Sequence, residues 1–302
     1  MTTPRRTIPA ECYSCLFGQL DSLVNITGMD EKQAKSLFEH AMRKLLETQG
    51  EGIVAQHLIR SATDHAALLL GNTEDFDPYR QIKKESNDIA MAFAERFSNS
   101  SNDGRISLEE AVKVAAAGNI IDFGALRHGS LDIEKELASI DGQAFGCFDM
   151  EPFKSRLGDA RRLLYICDNA GEIVFDRLFV ETIARLHPGL EITCSVRERP
   201  VINDAVMADA LYVGLDTAAP VVSSGSVYPG TLLEETSEAF RRLYDEADLV
   251  IAKGQGNFET LLEEADPKLF FILRIKCGRM ARLSGILKGE LVLMQGGGQK
   301  TR

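Results

Sequence analysis

From about residue 160 to the C-terminus, short β-branched runs alternate with segments of helical periodicity, and this alternation constrains the fold more than any other feature. The runs are "RRLLYICD" (161–168), "LEITCSVR" (190–197), "DLVIAKG" (248–254), "LFFILRIKC" (269–277) and "GELVLMQG" (289–296). Helical patterns occupy 172–187, 203–210, 231–246 and 257–265. Strands that alternate with helices are joined by right-handed crossovers, so the sheet is mostly parallel and covered on both faces.

The first half has a different rhythm. "EKQAKSLFEHAMRKLLE", "GIVAQHLIRSATDHAALLL", "YRQIKKESNDIAMAFAERF" and "LEEAVKVAAAGNII" repeat apolar residues at three- and four-residue intervals, as amphipathic helices do. The expectation is an α/β protein: an all-α domain over 1–155, then a Rossmann-like three-layer domain over 156–302.

Charge narrows the partners. The formal net charge is -11 and the pI about 5.1, with no basic stripe, so a nucleic-acid backbone is disfavoured. An anionic small substrate would need a few cations gathered at one place. No apolar window approaches the roughly 18 residues of a membrane span, and no apolar region follows Arg5 and Arg6, so a cytoplasmic location is expected. The thiols Cys12, Cys15, Cys147, Cys167, Cys194 and Cys277 are expected to be reduced and mostly structural.

In an open parallel sheet, ligands bind beyond the carboxyl ends of the strands. Asp168 and Asn169 close the first run there, and the helix after them has its own apolar face in Phe175, Leu178, Phe179, Ile183 and Leu186. Either residue could simply cap that helix. Two further strand ends carry matching chemistry, however: Asn203 and Asp204 in "ERPVINDAVMADA", and Lys253, Asn257 and Glu259 in "AKGQGNFETLLEE". Oxygen ligands alone favour a hard divalent cation such as Mg²⁺ or Mn²⁺, with Co²⁺ or Ni²⁺ also accommodated. Two carboxylates and an amide leave such a site near neutral, as a phosphate substrate requires. Lys253 and Lys276 are the local cations.

These motifs resemble the damage-control phosphatase family, long catalogued as a domain of unknown function, and in particular its compact prokaryotic branch. "CYSC" near the start, "AGNIIDFG" (117–124), "DNAGE" (168–172), "RPVIND" (199–204), "ADLVIAKGQGNFETL" (247–261) and "KC" (276–277) match its marks in order. The resemblance implies a metal-dependent phosphatase of small phosphometabolites, such as sugar phosphates or damaged and misplaced phosphorylated intermediates. It implies a divalent metal held by Asp168, Asn169 and Asp204, phosphate contacts from Lys253 and Lys276, and Glu172 and Asn257 lining the same crevice. Asp168 is expected to orient or deprotonate the attacking water, with direct attack by Asp168 on phosphorus as the variant.

Other readings have weaker support. A haloacid-dehalogenase-type phosphatase needs a second Asp two places after the first, and position 170 is alanine. An S-adenosylmethionine-dependent carboxyl methyltransferase lacks its glycine-rich loop, since "QGGGQ" follows the last strand. A non-catalytic phosphometabolite sensor would use the same crevice. "NSSNDGRISLEE" (99–110) scans as a calcium loop ending on Glu110, or as a turn that caps the helix from Leu108. Cys12 and Cys15 form one CxxC, and a zinc site would need His40, His57 or Cys277 to complete it. Asn119 and Asp122 either support the loops beneath the site or turn the chain after a helix.

Overall fold

The computed structural model describes residues 8–48, 54–100, 106–118 and 145–297. By contacts these fall into two units. One is residues 1–80 with 199–202 and 227–229; the other is 81–198, 203–226 and 230–302. The helices expected at 79–97 and from 108 therefore count with the sheet.

In the first unit, α1 (Tyr13–Thr27), α2 (Glu31–Thr48) and α3 (Ala55–Leu69) pack through Leu16, Leu20, Leu23, Leu37, Leu58, Ala62 and Ala66, all buried. The short segment 199–202 joins them, with the Arg60 guanidinium donating to the Pro200 carbonyl at 3.0 Å. His57 meets the Tyr228 ring edge-on at 4.9 Å.

The second unit opens with α4 (Arg80–Ser100) and α5 (Leu108–Ala117) and continues through β1 (Phe145–Phe148), α6 (Met150–Asp159), β2 (Arg162–Ile166), α7 (Glu172–Leu186), β3 (Glu191–Val196), α8 (Met207–Tyr212), β4 (Val221–Ser223), α9 (Glu238–Glu246), β5 (Leu249–Lys253), α10 (Gly254–Leu261), β6 (Leu269–Arg274), α11 (Gly278–Ser284) and β7 (Leu291–Gln295). The seven strands lie in the order β1-β7-β6-β5-β2-β3-β4, and every neighbouring pair is parallel except β6 with β7.

Because successive strand side chains point to opposite faces, the sheet builds two cores. Leu163, Tyr165, Ile192, Cys194, Leu249, Ile251, Phe270 and Ile272 pack with α4 to α8 on one face. Leu164, Ile166, Val250, Ala252, Phe271 and Leu273 pack with α9, α10 and α11 on the other. This is the expected three-layer α/β architecture.

All five expected strands are present. The edge strands β1, "FGCF", and β4, "VVS", are too short to stand out as apolar runs. Helix α9 starts at Glu238, where Ser237 caps it, and not at 231. On α7 the buried face is Ile173, Val174, Phe175, Phe179, Val180 and Ile183, while Leu186 is exposed. Ser107 and Glu110 cap α5 reciprocally: the Glu110 amide donates to Ser107 Oγ at 3.2 Å and the Ser107 amide to Glu110 Oε2 at 2.8 Å. The glutamate that would close a calcium loop is thus committed to the cap. Asn119 and Asp122 lie outside the described residues. Among the described residues no helix is long and apolar enough to cross a membrane.

Candidate active site

The chain runs outward from β2 to β3 and β4, then returns to the other side of β2 as β5. The order reverses between β2 and β5, and at such a switch point the loops leave the strand ends in opposite directions and open a crevice. Asp168 follows β2 there, and Gly254 follows β5. The φ of Gly254 is +76°, and a Cβ on it would lie 1.8 Å from Asp168 Oδ2. Only glycine lets that carboxylate stand against the start of α10.

Backbone pairing carries Asp204 to Asp168. The Ala205 amide donates to the Asp168 carbonyl at 2.8 Å and the Ala170 amide to the Asn203 carbonyl at 3.0 Å, so Asn169 and Asp204 face each other as an antiparallel bridge. Asn169 Nδ2 donates to Asp168 Oδ2 at 2.8 Å and to Glu172 Oε1 at 2.9 Å. Neither side chain caps α7, whose N-cap is Gly171. The alternative of a mere capping couplet is removed.

Arg197, just past β3, joins the strand ends, and sequence reasoning missed it. It is 2% exposed. Its Nε donates to Asp204 Oδ2 at 2.8 Å, one terminal nitrogen to Thr231 Oγ1 at 3.0 Å and the other to Asn257 Oδ1 at 3.0 Å. The last nitrogen also lies 3.9 Å from Asp168 Oδ1. One planar guanidinium therefore spans both aspartates, a role that suits arginine's fixed fork of donors. An arginine directly at a strand end, between two acidic motifs, was the available signal; Thr231 offered none.

Asn257 is fully buried. Its Nδ2 donates to the Lys253 carbonyl at 2.6 Å and the Cys167 carbonyl at 3.2 Å, and its Oδ1 accepts from Arg197 and from Thr231 Oγ1 at 2.8 Å. It ties β5 to β2. Lys253 is also fully buried: its ammonium donates to the Ala115 carbonyl at 2.9 Å and Asp176 Oδ1 at 2.6 Å, and lies 3.9 Å from Glu172 Oε2. The lysine expected to meet phosphate is thus engaged within the protein. Burial opposes its charge, but Asp176 and Glu172 outweigh that and raise its pKa. Asp176 also accepts from the Tyr165 hydroxyl at 2.8 Å. A carboxylate within the apolar stripe of α7 was its signal.

Lys276 is exposed at the end of β6, close enough to Asp168 to hold down its pKa. Glu259 accepts from Gln255 Nε2 at 2.8 Å.

Burial first, then Glu172 and Asp204, push Asp168 well above the usual carboxylate range, with Arg197 and Lys276 opposing. Asp204 is raised by burial, with Arg197 opposing. Four buried carboxylates, Asp168, Glu172, Asp176 and Asp204, share two buried cations, Arg197 and Lys253. Oxygen-only donors gathered in this way fit a divalent cation, which would take the place of the proton that burial favours on Asp168. Among the described residues no group of three or more His, Cys, Asp or Glu is arranged to hold a metal ion; the expected set has only two carboxylates, its third donor being an amide. Among the described residues Cys12 and Cys15 belong to no such group. His40 instead stacks on His65 at 4.2 Å between ring centroids.

A doubly covered, mostly parallel sheet with four buried carboxylates, a buried arginine and a buried lysine gathered at its switch point defines an α/β protein of the open-sheet class. The chain belongs to the damage-control phosphatase ARMT1-like domain family, whose model matches residues 8–292. It is 33% identical over 298 residues to an uncharacterized protein of Methanocaldococcus jannaschii, covering 95% of each chain. It is 31% identical to a damage-control phosphatase of Pyrococcus horikoshii, covering 94% of this chain and 96% of the relative. The crystal structure of a DUF89 family protein from Pyrococcus horikoshii superposes with a TM-score of 0.84 at 29% identity, covering 96% of this chain and 99% of that one.

Proposed function

We propose that this protein is a metal-dependent phosphatase that hydrolyses small phosphometabolites, sugar phosphates or damaged and misplaced phosphorylated intermediates. The observation that supports the reading is the Asp168–Arg197–Asp204 arrangement, in which two carboxylates at neighbouring strand ends share one guanidinium. Asp168, Asn169 and Asp204 would hold the cation, Mn²⁺, Co²⁺, Ni²⁺ or Mg²⁺. When bound, it supplies Lewis acidity toward a phosphoryl oxygen and a water.

The chain's own groups do the rest. Asp168 orients the attacking water and takes its proton on an oxygen not needed by the cation. Lys276, exposed at the crevice edge, meets the substrate phosphate, where a cation offsets charge gathering on the equatorial oxygens. Lys253 acts from beneath by holding Asp176 and Glu172 in place. Arg197 holds the Asp204 carboxylate in one orientation.

The test is turnover of an aryl phosphate with each cation, with chelator, and with Asp168→Ala. Chelator and the substitution are both expected to abolish turnover; metal-independent turnover or an active Asp168→Ala enzyme overturns the reading. Label found in the Asp168 carboxylate after a single turnover in isotopically labelled water would overturn water attack in favour of attack by Asp168 itself.

A further inference from the structure

The buried stripe of α4 has an unusual composition. Its C-terminal half is apolar, Ala90, Phe93 and Ala94, and seven residues earlier the same stripe carries Lys83, Ser86 and Asn87. Lys83 is 2% and Asn87 0% exposed. Buried polar groups oppose folding unless partnered, so apolar residues would be the default here. The partners of Lys83 and Asn87 explain the exception.

Lys83 Nζ donates to Asp209 Oδ2 at 2.8 Å. The same oxygen accepts the Val206 amide at 3.0 Å and so fixes the turn that leads from Asp204 into α8. Asn87 Oδ1 accepts the Gly171 amide at 2.6 Å, within the turn from Asp168 to Glu172. Gly171 has φ +81°, so that turn is one L side chains rarely adopt. Because a backbone N–H must meet an oxygen, the Asn87 amide has only one orientation. Its Nδ2 is left buried with no hydrogen-bond partner among the described residues, so the side chain is held there for its oxygen. Lys83 and Asn87 are four residues apart and therefore share one face of the helix. One rigid helix thus grips the loop after β2 and the loop after β3.

We propose that Lys83 and Asn87 are positioning residues that set the separation of Asp168 and Asn169 from Asp204. This rests on the reading of those three residues as the metal ligands. Partners that orient ligands in this way typically change metal affinity or activity about 10–100-fold when removed.

The experiment measures Mn²⁺ binding to metal-free protein by the electron paramagnetic resonance signal of free Mn²⁺, with aryl phosphate turnover and the thermal midpoint of the metal-free protein alongside. Asn87→Leu removes the acceptor and Asn87→Asp restores it; Lys83→Met removes the ammonium and Lys83→Arg restores a cation; Gln81→Ala, on the exposed side of α4, is the control. Asn87→Leu and Lys83→Met are expected to bind Mn²⁺ about 10–100-fold more weakly with kcat reduced, the restoring variants to recover most of the affinity, and the control to match wild type.

Mn²⁺ affinity and turnover within twofold of wild type in Asn87→Leu and Lys83→Met overturn the positioning role while the site reading stands. Losses that the restoring variants do not recover also overturn it. If Lys83→Met fails to fold, the Asn87 pair decides. Wild type that binds Mn²⁺ no better than Asp168→Ala removes the site reading, and the positioning role with it.

Discussion

Gly254→Ala is the smallest change that should disable the crevice. An added Cβ would meet Asp168 Oδ2 at 1.8 Å, Cγ at 2.3 Å and Cβ at 2.8 Å, against ordinary contact that starts at 3.4 Å. The carboxylate must retreat by about 1.5 Å, and Asp168 is itself held by the Asn169 amide and the Ala205 backbone, so the motion disturbs its neighbours. Alanine at φ +76° adds roughly 1–2 kcal/mol of backbone strain. A displacement of this size at reacting groups costs on the order of 10²-fold in rate. Turnover of an aryl phosphate is therefore expected to fall about 100-fold, most of it in kcat, with only about 1–3 kcal/mol lost from stability in urea unfolding. Gly254→Ala enzyme with wild-type kcat/KM and unchanged Mn²⁺ affinity would refute the placement of Asp168 in the chemistry. Gly285→Ala is the comparison: φ is +73° there too, but nothing lies within 4 Å, so it should show the strain without the loss of rate.

Lys253→Met should act on stability before substrate affinity, because it leaves Asp176 and Glu172 buried without their cation, at a cost of about 3–5 kcal/mol in urea unfolding. Wild-type stability with a raised KM would instead return Lys253 to the role of phosphate contact, and Lys253→Met combined with Asp176→Asn should recover part of the loss. The metal-free protein should also lose stability as pH rises. Burial, Glu172 and Asp204 raise Asp168 above its usual 3.8, so the folded state keeps a proton that the unfolded chain has released. The resulting stabilisation is fully present below 3.8 and disappears as pH climbs through the folded value; a thermal midpoint that falls with pH in wild type but less so in Asp168→Asn is expected, and an equal slope in both refutes it.

The pattern of the chain accounts for much of this protein. Short continuous β-branched runs and period-3.6 apolar repeats are local, and they identify the central strands, most helices and the doubly covered sheet. They also place "DNAGE", "RPVIND" and "KGQGNFE" at strand ends, because the polar residues begin where the apolar runs stop. Local pattern does not contain strand order. That Asp168 and Gly254 meet follows from β5 returning beside β2, a pairing between residues more than eighty positions apart. The direction in which a polar side chain is drawn is equally non-local. Lys253 and Asn257 read as crevice residues because they sit at a strand end, yet in the fold Asp176, Ala115, Arg197 and Thr231 claim them. Arg197 becomes the brace between two aspartates only when β2 and β3 lie side by side, and Lys83 and Asn87 look like ordinary helix-surface residues until α4 is laid against both loops. Apolar periodicity reports which face is buried; which polar groups share that interior depends on partners that folding alone brings within reach.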